Sequence, residues 1–169
     1  MDAVTRIERT LSASLDRAAP VDGNRAGGPP LLAAAMRHAV FPRGARIRAR
    51  LCLAVAAACG EGDEAAADGA AAAIEFMHCA SLVHDDLPCF DNADTRRGRP
   101  SVHRAFGEPL AVLAGDALIV LSFQTAAWGT AHCPERLPAL MLTLADASGM
   151  PSGIAAGQAW ECESAIDLG

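Results

Sequence analysis

Apolar residues fall at helical steps through most of the chain. Val4, Ile7, Leu11 and Leu15 recur at three- and four-residue intervals, one stripe of a first helix that ends near Ala19–Pro20. Residues 21–30 (VDGNRAGGPP) are rich in turn formers and read as a loop. Pro29–Pro30 marks the start of a second helix reaching about Val40, and Phe41–Pro42–Arg43–Gly44 punctuates it. A third helix is predicted from Arg46 to Cys59, stopped by Gly60. Asp63 then caps a long helix running to about Leu87, which Pro88 ends or bends. Residues 88–100 read as a polar loop, and further helices are predicted over 109–128, 135–148 and 152–164. Strand-like alternation and internal repeats do not occur. The pattern predicts an all-α chain of long packed helices in a single domain over 1–169.

Composition narrows the possibilities. Hydrophobic residues make up 51% of the 169, but many are alanine, so the core must come from closely packed helices rather than large side chains. Aromatics are 4% and Tyr is absent, which disfavours a β-sandwich or barrel. The net charge is −6 with no lysine, and the arginines cluster near 43–50 and 96–104. An acidic chain of this kind is not expected to bind nucleic acid. Six cysteines (Cys52, Cys59, Cys79, Cys89, Cys133, Cys162) show no CxxC pair, and no basic, apolar, cleavable leader opens the chain. They read as reduced thiols of a cytoplasmic protein rather than as zinc ligands. The longest apolar stretch, near 110–123, is broken by Asp116 and falls short of the roughly 18 residues of a membrane span, so no transmembrane segment is expected.

The chemistry concentrates in residues 81–103, SLVHDDLPCFDNADTRRGRPSVH. Asp85, Asp86 and Asp91 sit beside Arg96 and Arg97. Carboxylates are hard oxygen ligands for Mg²⁺, and guanidiniums grip phosphate oxygens in a fork, so the set suits a metal-bound diphosphate. On a continuous helix Asp85 and Asp91 would point in different directions. Pro88 breaks the ladder and allows the chain to bring Asp91 back over Asp85, with Asp86 turned partly away to support the site and Asp94 steadying the loop or the arginines. A solvated loop at a helix end is the plain alternative. Against it, carboxylates near a helix C-terminus oppose the helix dipole by about 0.3–1 kcal/mol each, and a cation is the natural compensation. The apolar run before them, Ala80 to Val83, puts the cluster at the mouth of an apolar interior.

HDDLPCFDNADTRRGRPSVH resembles the first aspartate-rich motif of the trans-isoprenyl diphosphate synthases, the polyprenyl synthetase family, in the DDxxxxD…RRG form of bacterial farnesyl and geranylgeranyl diphosphate synthases. GEPLAVLAGDAL and Gly157–Gln158 are also similar to the family, and FPRGARIRAR resembles its GGKRxRP segment, so the likeness covers most of 30–165. It implies an isoprenoid synthase-type helical bundle, a homodimer, and Mg²⁺-dependent condensation of isopentenyl diphosphate with an allylic diphosphate. By the resemblance, Asp85 and Asp91 hold Mg²⁺ with Asp86 beside them. Arg96 grips the allylic diphosphate, Arg97 and Arg48 contact isopentenyl diphosphate, and His78 is another diphosphate contact. The family lysine is Ala45 here and the family proline is Ala49, so Arg46 or Arg43 is expected to supply the lost cation. His84 and His103 are left as supporting residues. Ala80 stands five positions before Asp85, where a bulky aromatic would halt elongation at fifteen carbons in the family. With Ser81 beside it, Met77 as a floor and Phe76 pointing elsewhere, the expectation is a C20 product, geranylgeranyl diphosphate. The family's second motif, FQxxDDxxD, does not occur in these 169 residues. The chain therefore reads as the N-terminal part of a synthase, or else as a non-catalytic or regulatory member. A terpene cyclase of the same superfamily fits less well, since those usually lack RRG.

Overall fold

The computed structural model describes residues 1–19, 28–41, 44–60 and 62–164. The loop expected over 21–30 lies largely outside these, as do Pro42 and Arg43 and the cationic role expected of Arg43.

The chain is all-α, as its periodicity predicts. Helix α1 (Ala3–Ala18) begins where the Asp2 carboxylate accepts the Thr5 N–H at 3.0 Å, and its stripe of Ile7, Leu11 and Leu15 is buried. Helices α2 (Pro30–Val40) and α3 (Ile47–Ala58) follow. Helix α4 (Glu64–Asp85) is capped by Asp63 and ends two residues before the expected Leu87. Beyond it come a two-stranded antiparallel hairpin, β1 (Thr95–Arg96) and β2 (Arg99–Pro100), and helices α5 (Val102–Phe106) and α6 (Glu108–Gly129). A 3-10 turn (Pro134–Arg136) leads into α7 (Leu137–Ser148) and then α8 (Ile154–Ser164).

The hairpin corrects the expectation of a strandless polar loop over 88–100. Arg97 and Gly98 both take positive φ (54° and 76°), the left-handed pair that a type I′ hairpin turn requires. Gly98 adopts this freely, whereas Arg97 is held there at a cost of roughly 1–2 kcal/mol. Arg99 anchors the hairpin: its guanidinium donates to the Phe41 carbonyl at 2.9 Å and lies 2.8 Å from His38 Nδ1 on α2. His38 Nε2 in turn lies 2.8 Å from the Pro100 carbonyl oxygen.

Helices α4 and α6 pack along their length and form the spine of the core. Ala71, Ala72 and Ala80 on α4 and Ala111, Ala114 and Leu118 on α6 are fully buried. Small side chains bring the two backbones close: an added Cβ on Gly69 would lie 2.9 Å from Gly129 Cα, and one on Gly129 2.8 Å from the Ala65 carbonyl oxygen. By length and composition α6 is apolar enough to cross a membrane. Asp116 breaks its apolar run but, exposed, does not interrupt the helix. Its inner face packs on α4 in the core, while Val112, Leu113 and Val120 remain exposed.

Candidate functional site

The aspartate cluster is built by the way α4 ends. Pro88 has no N–H to continue the helix, and the next residues coil back over its last turn. Phe90 and Asn92 donate N–H bonds to the Leu87 carbonyl, Asp91 to Asp85 at 2.9 Å, and Ala93 to Asp86 at 3.1 Å. Asn92 takes φ 49°, which makes the reversal possible. The carbonyls that a helix end leaves unpaired are thereby satisfied. The same turn carries the Asp91 carboxylate to Asp85. Burial, then the Asp91 charge, push the Asp85 carboxyl above its ordinary pKa; Asp86 and Glu161 add to this and Arg96 opposes it. Anionic oxygens close enough for Asp91 to hold up the pKa of Asp85 are a fitting donor set for a hard divalent cation.

Asp86 occupies a different place. Its side chain is only 3% exposed and is paired with Arg96, whose Nε donates to both carboxylate oxygens at 3.1 and 3.2 Å. The expectation of Asp86 as a metal ligand gives way to one in which it aims Arg96 along the hairpin toward Asp85 and Asp91. Asp94 steadies the segment from outside, with Arg104 Nε 2.7 Å from its carboxylate.

A second charged group gathers along α4 at His78, seven positions before Asp85 on the same helix face. Arg48 Nη1 lies 3.3 Å from His78 Nε2. Arg97 folds over Gly44, where an added Cβ would lie 3.0 Å from its guanidinium carbon and would press the side chain aside by a few tenths of an ångström. Burial, then the Arg48 charge, hold His78 below its ordinary pKa, and Arg97 adds to that effect. Among the described residues neither arginine forms an ion pair with a carboxylate, which leaves their charge for an anion.

Arg46 does not join this group, and its expected role in binding diphosphate is corrected. Its side chain is fully buried; the guanidinium donates to Glu8 and Glu75 at 2.9 Å each and to the Val40 carbonyl at 2.9 Å. Every face of the fork is occupied, and the residue ties α1, α2 and α4 together at the start of α3.

Between the aspartates and the helices lies an apolar cavity of about 680 Å³. Met77, Ala80, Ser81, His84 and Asp85 line its α4 side, so the expected chain-length residues are brought together there. Phe76 is fully buried in the main core and is not among the lining residues. Phe90, Ile119, Phe123 and Ala145 form other walls, and Ile154, Ala155, Gln158 and Ala159 of α8 close it. Sequence reasoning missed this far wall. Gly157–Gln158 was its only signal, because alanines and isoleucines on short helices carry no chemical mark.

His84 has a specific seat. Its ring occupies the space a Cβ on Gly115 would need, with Nε2 3.3 Å from the Val112 carbonyl oxygen and 3.6 Å from Asp116 Oδ1. His103 is buried away from the cavity, with Nδ1 3.1 Å from Ser101 Oγ.

Comparison with known proteins gives a consistent picture. The family model described as Polyprenyl synthetase matches residues 29–168. A geranylgeranyl diphosphate synthase of Cereibacter sphaeroides is 53% identical over 163 residues, 96% of this chain and 55% of that protein. One from Rhodobacter capsulatus is 58% identical over 140 residues, 83% of this chain and 48% of the other. The crystal structure of a geranyltransferase from Legionella pneumophila superposes with a TM-score of 0.82 at 32% identity, covering 98% of this chain and 57% of its own. An FPP/GFPP synthase from Zymomonas mobilis gives 0.80 at 35% identity, covering 99% and 61%. The chain thus spans about half the length of the curated relatives it matches.

Proposed function

This chain belongs to the polyprenyl synthetase family, and on that premise we propose that it acts as a Mg²⁺-dependent prenyltransferase, condensing isopentenyl diphosphate with an allylic diphosphate to make geranylgeranyl diphosphate. One observation carries the reading: the turn after α4 sets Asp91 on Asp85 at the mouth of a large apolar cavity. The names of the 53% and 58% identical relatives support the C20 product and favour a catalytic chain over a non-catalytic subunit.

Asp85 and Asp91 would hold Mg²⁺, which when bound neutralises the leaving diphosphate. Arg96, aimed by Asp86, supplies a fixed positive charge beside the same oxygens. Arg48, Arg97 and His78 would hold the isopentenyl diphosphate beside the same helix, seven positions before Asp85 and on the same face. The allylic C–O bond breaks with its electron pair staying on the diphosphate. The isopentenyl double bond forms the new carbon–carbon bond, and a proton is lost to the departed diphosphate. Fixed charges at the departing oxygens lower the barrier, and apolar walls keep water from the allylic cation. Ala80 leaves room for the chain to grow past fifteen carbons.

The protein is proposed to work in the cytoplasm as a homodimer. Its six cysteines are free thiols. The exposed Val112, Leu113 and Val120 along α6 form an apolar face that a second copy would cover. The test is incubation of the protein with labelled isopentenyl diphosphate and an allylic primer, with Mg²⁺ or with chelator. A C20 product that appears only with Mg²⁺ is expected; no condensation under either condition contradicts the proposal.

A further inference from the structure

At the end of α4 opposite Asp85, three different metal-ligating side chains converge. Asp63 caps the helix with Oδ1, which accepts the Ala66 N–H at 3.0 Å. Its other oxygen, Oδ2, lies 2.7 Å from His132 Nε2 and 3.2 Å from Cys133 Sγ. The ligand atoms of the three residues all fall within 4.8 Å of one another. His132 and Cys133 belong to the link between α6 and α7, which is shaped by a Cys133 N–H bond to the Thr130 carbonyl at 3.0 Å and an Arg136 N–H bond to the Cys133 carbonyl at 3.1 Å.

We propose that Asp63, His132 and Cys133 form a binding site for a borderline transition-metal cation, Zn²⁺ first among them, separate from the aspartates that serve the diphosphate. The donor set sets the class of metal. A thiolate and an imidazole prefer Zn²⁺ or Co²⁺, whereas Mg²⁺ takes oxygen alone. Three protein ligands of this kind leave a fourth, tetrahedral position for water on the exposed His132 side.

The geometry is near what such an ion needs. Zinc–ligand bonds of about 2.0–2.3 Å place tetrahedral ligand atoms roughly 3.3–3.7 Å apart. Asp63 must therefore separate slightly from its two partners, and His132, 53% exposed, has the freedom to swing outward. Asp63 keeps its helix-capping bond through Oδ1 while Oδ2 ligates, so the carboxylate stays oriented as a ligand should. The Cys133 thiol now donates to Asp63; on metal binding that proton leaves to solvent and the sulfur binds as thiolate. The bound ion would pin the start of α4 to the α6–α7 link, one turn beyond the close crossing of Gly69 and Gly129.

The test uses Co²⁺ as the probe and needs no prenyl substrate. Chelator-treated protein is titrated with Co²⁺ in excess Mg²⁺ and its absorption followed, then back-titrated with Zn²⁺. One equivalent should give visible d–d bands of a tetrahedral site and a thiolate-to-cobalt charge-transfer band, both abolished by Zn²⁺. Cys133→Ser should remove the charge-transfer band. His132→Ala, at an exposed position that leaves the fold intact, should weaken Co²⁺ binding by about tenfold or more. Absence of the bands overturns the proposal, as does a charge-transfer band that persists in Cys133→Ser or an affinity unchanged in His132→Ala. Those results leave the three residues as a hydrogen-bonded helix cap, with the other cysteines accounting for any residual binding.

Discussion

The backbone N–H of Asp91 donates to the carbonyl of Asp85 at 2.9 Å, across the turn that Pro88 forces on the end of α4. A six-residue separation that would set the two carboxylates apart on a helix becomes a direct juxtaposition. Asp85 holds its proton more tightly than an ordinary aspartate as a result of burial first and the Asp91 charge second.

That shift has a definite sign in stability. Because the folded state raises the Asp85 pKa above its unfolded value of 3.8, the folded state binds the proton more tightly. In metal-free protein this group's contribution to stability therefore falls as pH rises from just below the unfolded pKa through the raised folded one, and is flat above it. Asp91→Asn should relieve the repulsion. Allowing for solvent screening of so accessible a pair, the gain is at most about 1 kcal/mol, a Tm rise of about 2–4 °C at neutral pH in chelator. Thermal melts with and without Mg²⁺ check this, and the gain should vanish when Mg²⁺ and a diphosphate are supplied.

Ala80 is fully buried on the cavity wall, one turn of α4 before Asp85. Ala80→Phe should fill the cavity near its mouth, shortening the product to fifteen carbons at a stability cost of about 1–3 kcal/mol. Chromatography of the dephosphorylated products reads the change, and an undiminished C20 fraction would contradict this placement of the growing chain.

Gly115 yields the space that the His84 ring occupies. Gly115→Ala should drive that ring into the cavity and cost about 1–3 kcal/mol in urea unfolding. His84→Ala should recover most of that loss when combined with it, the non-additivity expected of residues in contact. Independent, additive losses would show that the two do not share space.

Arg46 and Arg48 stand two residues apart and should behave oppositely. Arg46→Met leaves Glu8 and Glu75 without their buried partner and should cost about 3–5 kcal/mol of stability. Arg48→Ala, at an exposed position, should change stability by no more than about 0.5 kcal/mol while weakening isopentenyl diphosphate binding. Urea unfolding and ligand titration of the two variants separate the roles.

Much of the helical frame was legible because each long helix carries its own signature: the Ile7–Leu11–Leu15 stripe, the Asp63 cap, Pro30 at a helix start. The hairpin was not, since strands of two residues are too short to show alternation and their turn depends on Arg97 accepting a left-handed conformation. Pro88 signalled the reversal that brings Asp91 back toward Asp85. Arg46 was misread because its role is decided by Glu8 and Glu75, 38 and 29 residues away, and local sequence does not reveal whether distant carboxylates reach an arginine. Asp86 was expected to turn partly away beside Asp85, and one helical step does turn it inward, but its partner Arg96 could not be named from the sequence. The cavity's far wall is made by the docking of α7 and α8, a tertiary outcome with no local pattern.

The central claim is that Asp85 and Asp91 together gather Mg²⁺ for a diphosphate. Calorimetric titration of the protein with a non-ionisable allylic thiolodiphosphate, in Mg²⁺ and in chelator, tests it most directly, with Asp91→Asn measured alongside. Binding that requires Mg²⁺ and weakens about tenfold or more in the variant is predicted; equal affinity with and without the ion, or in both proteins, would contradict it.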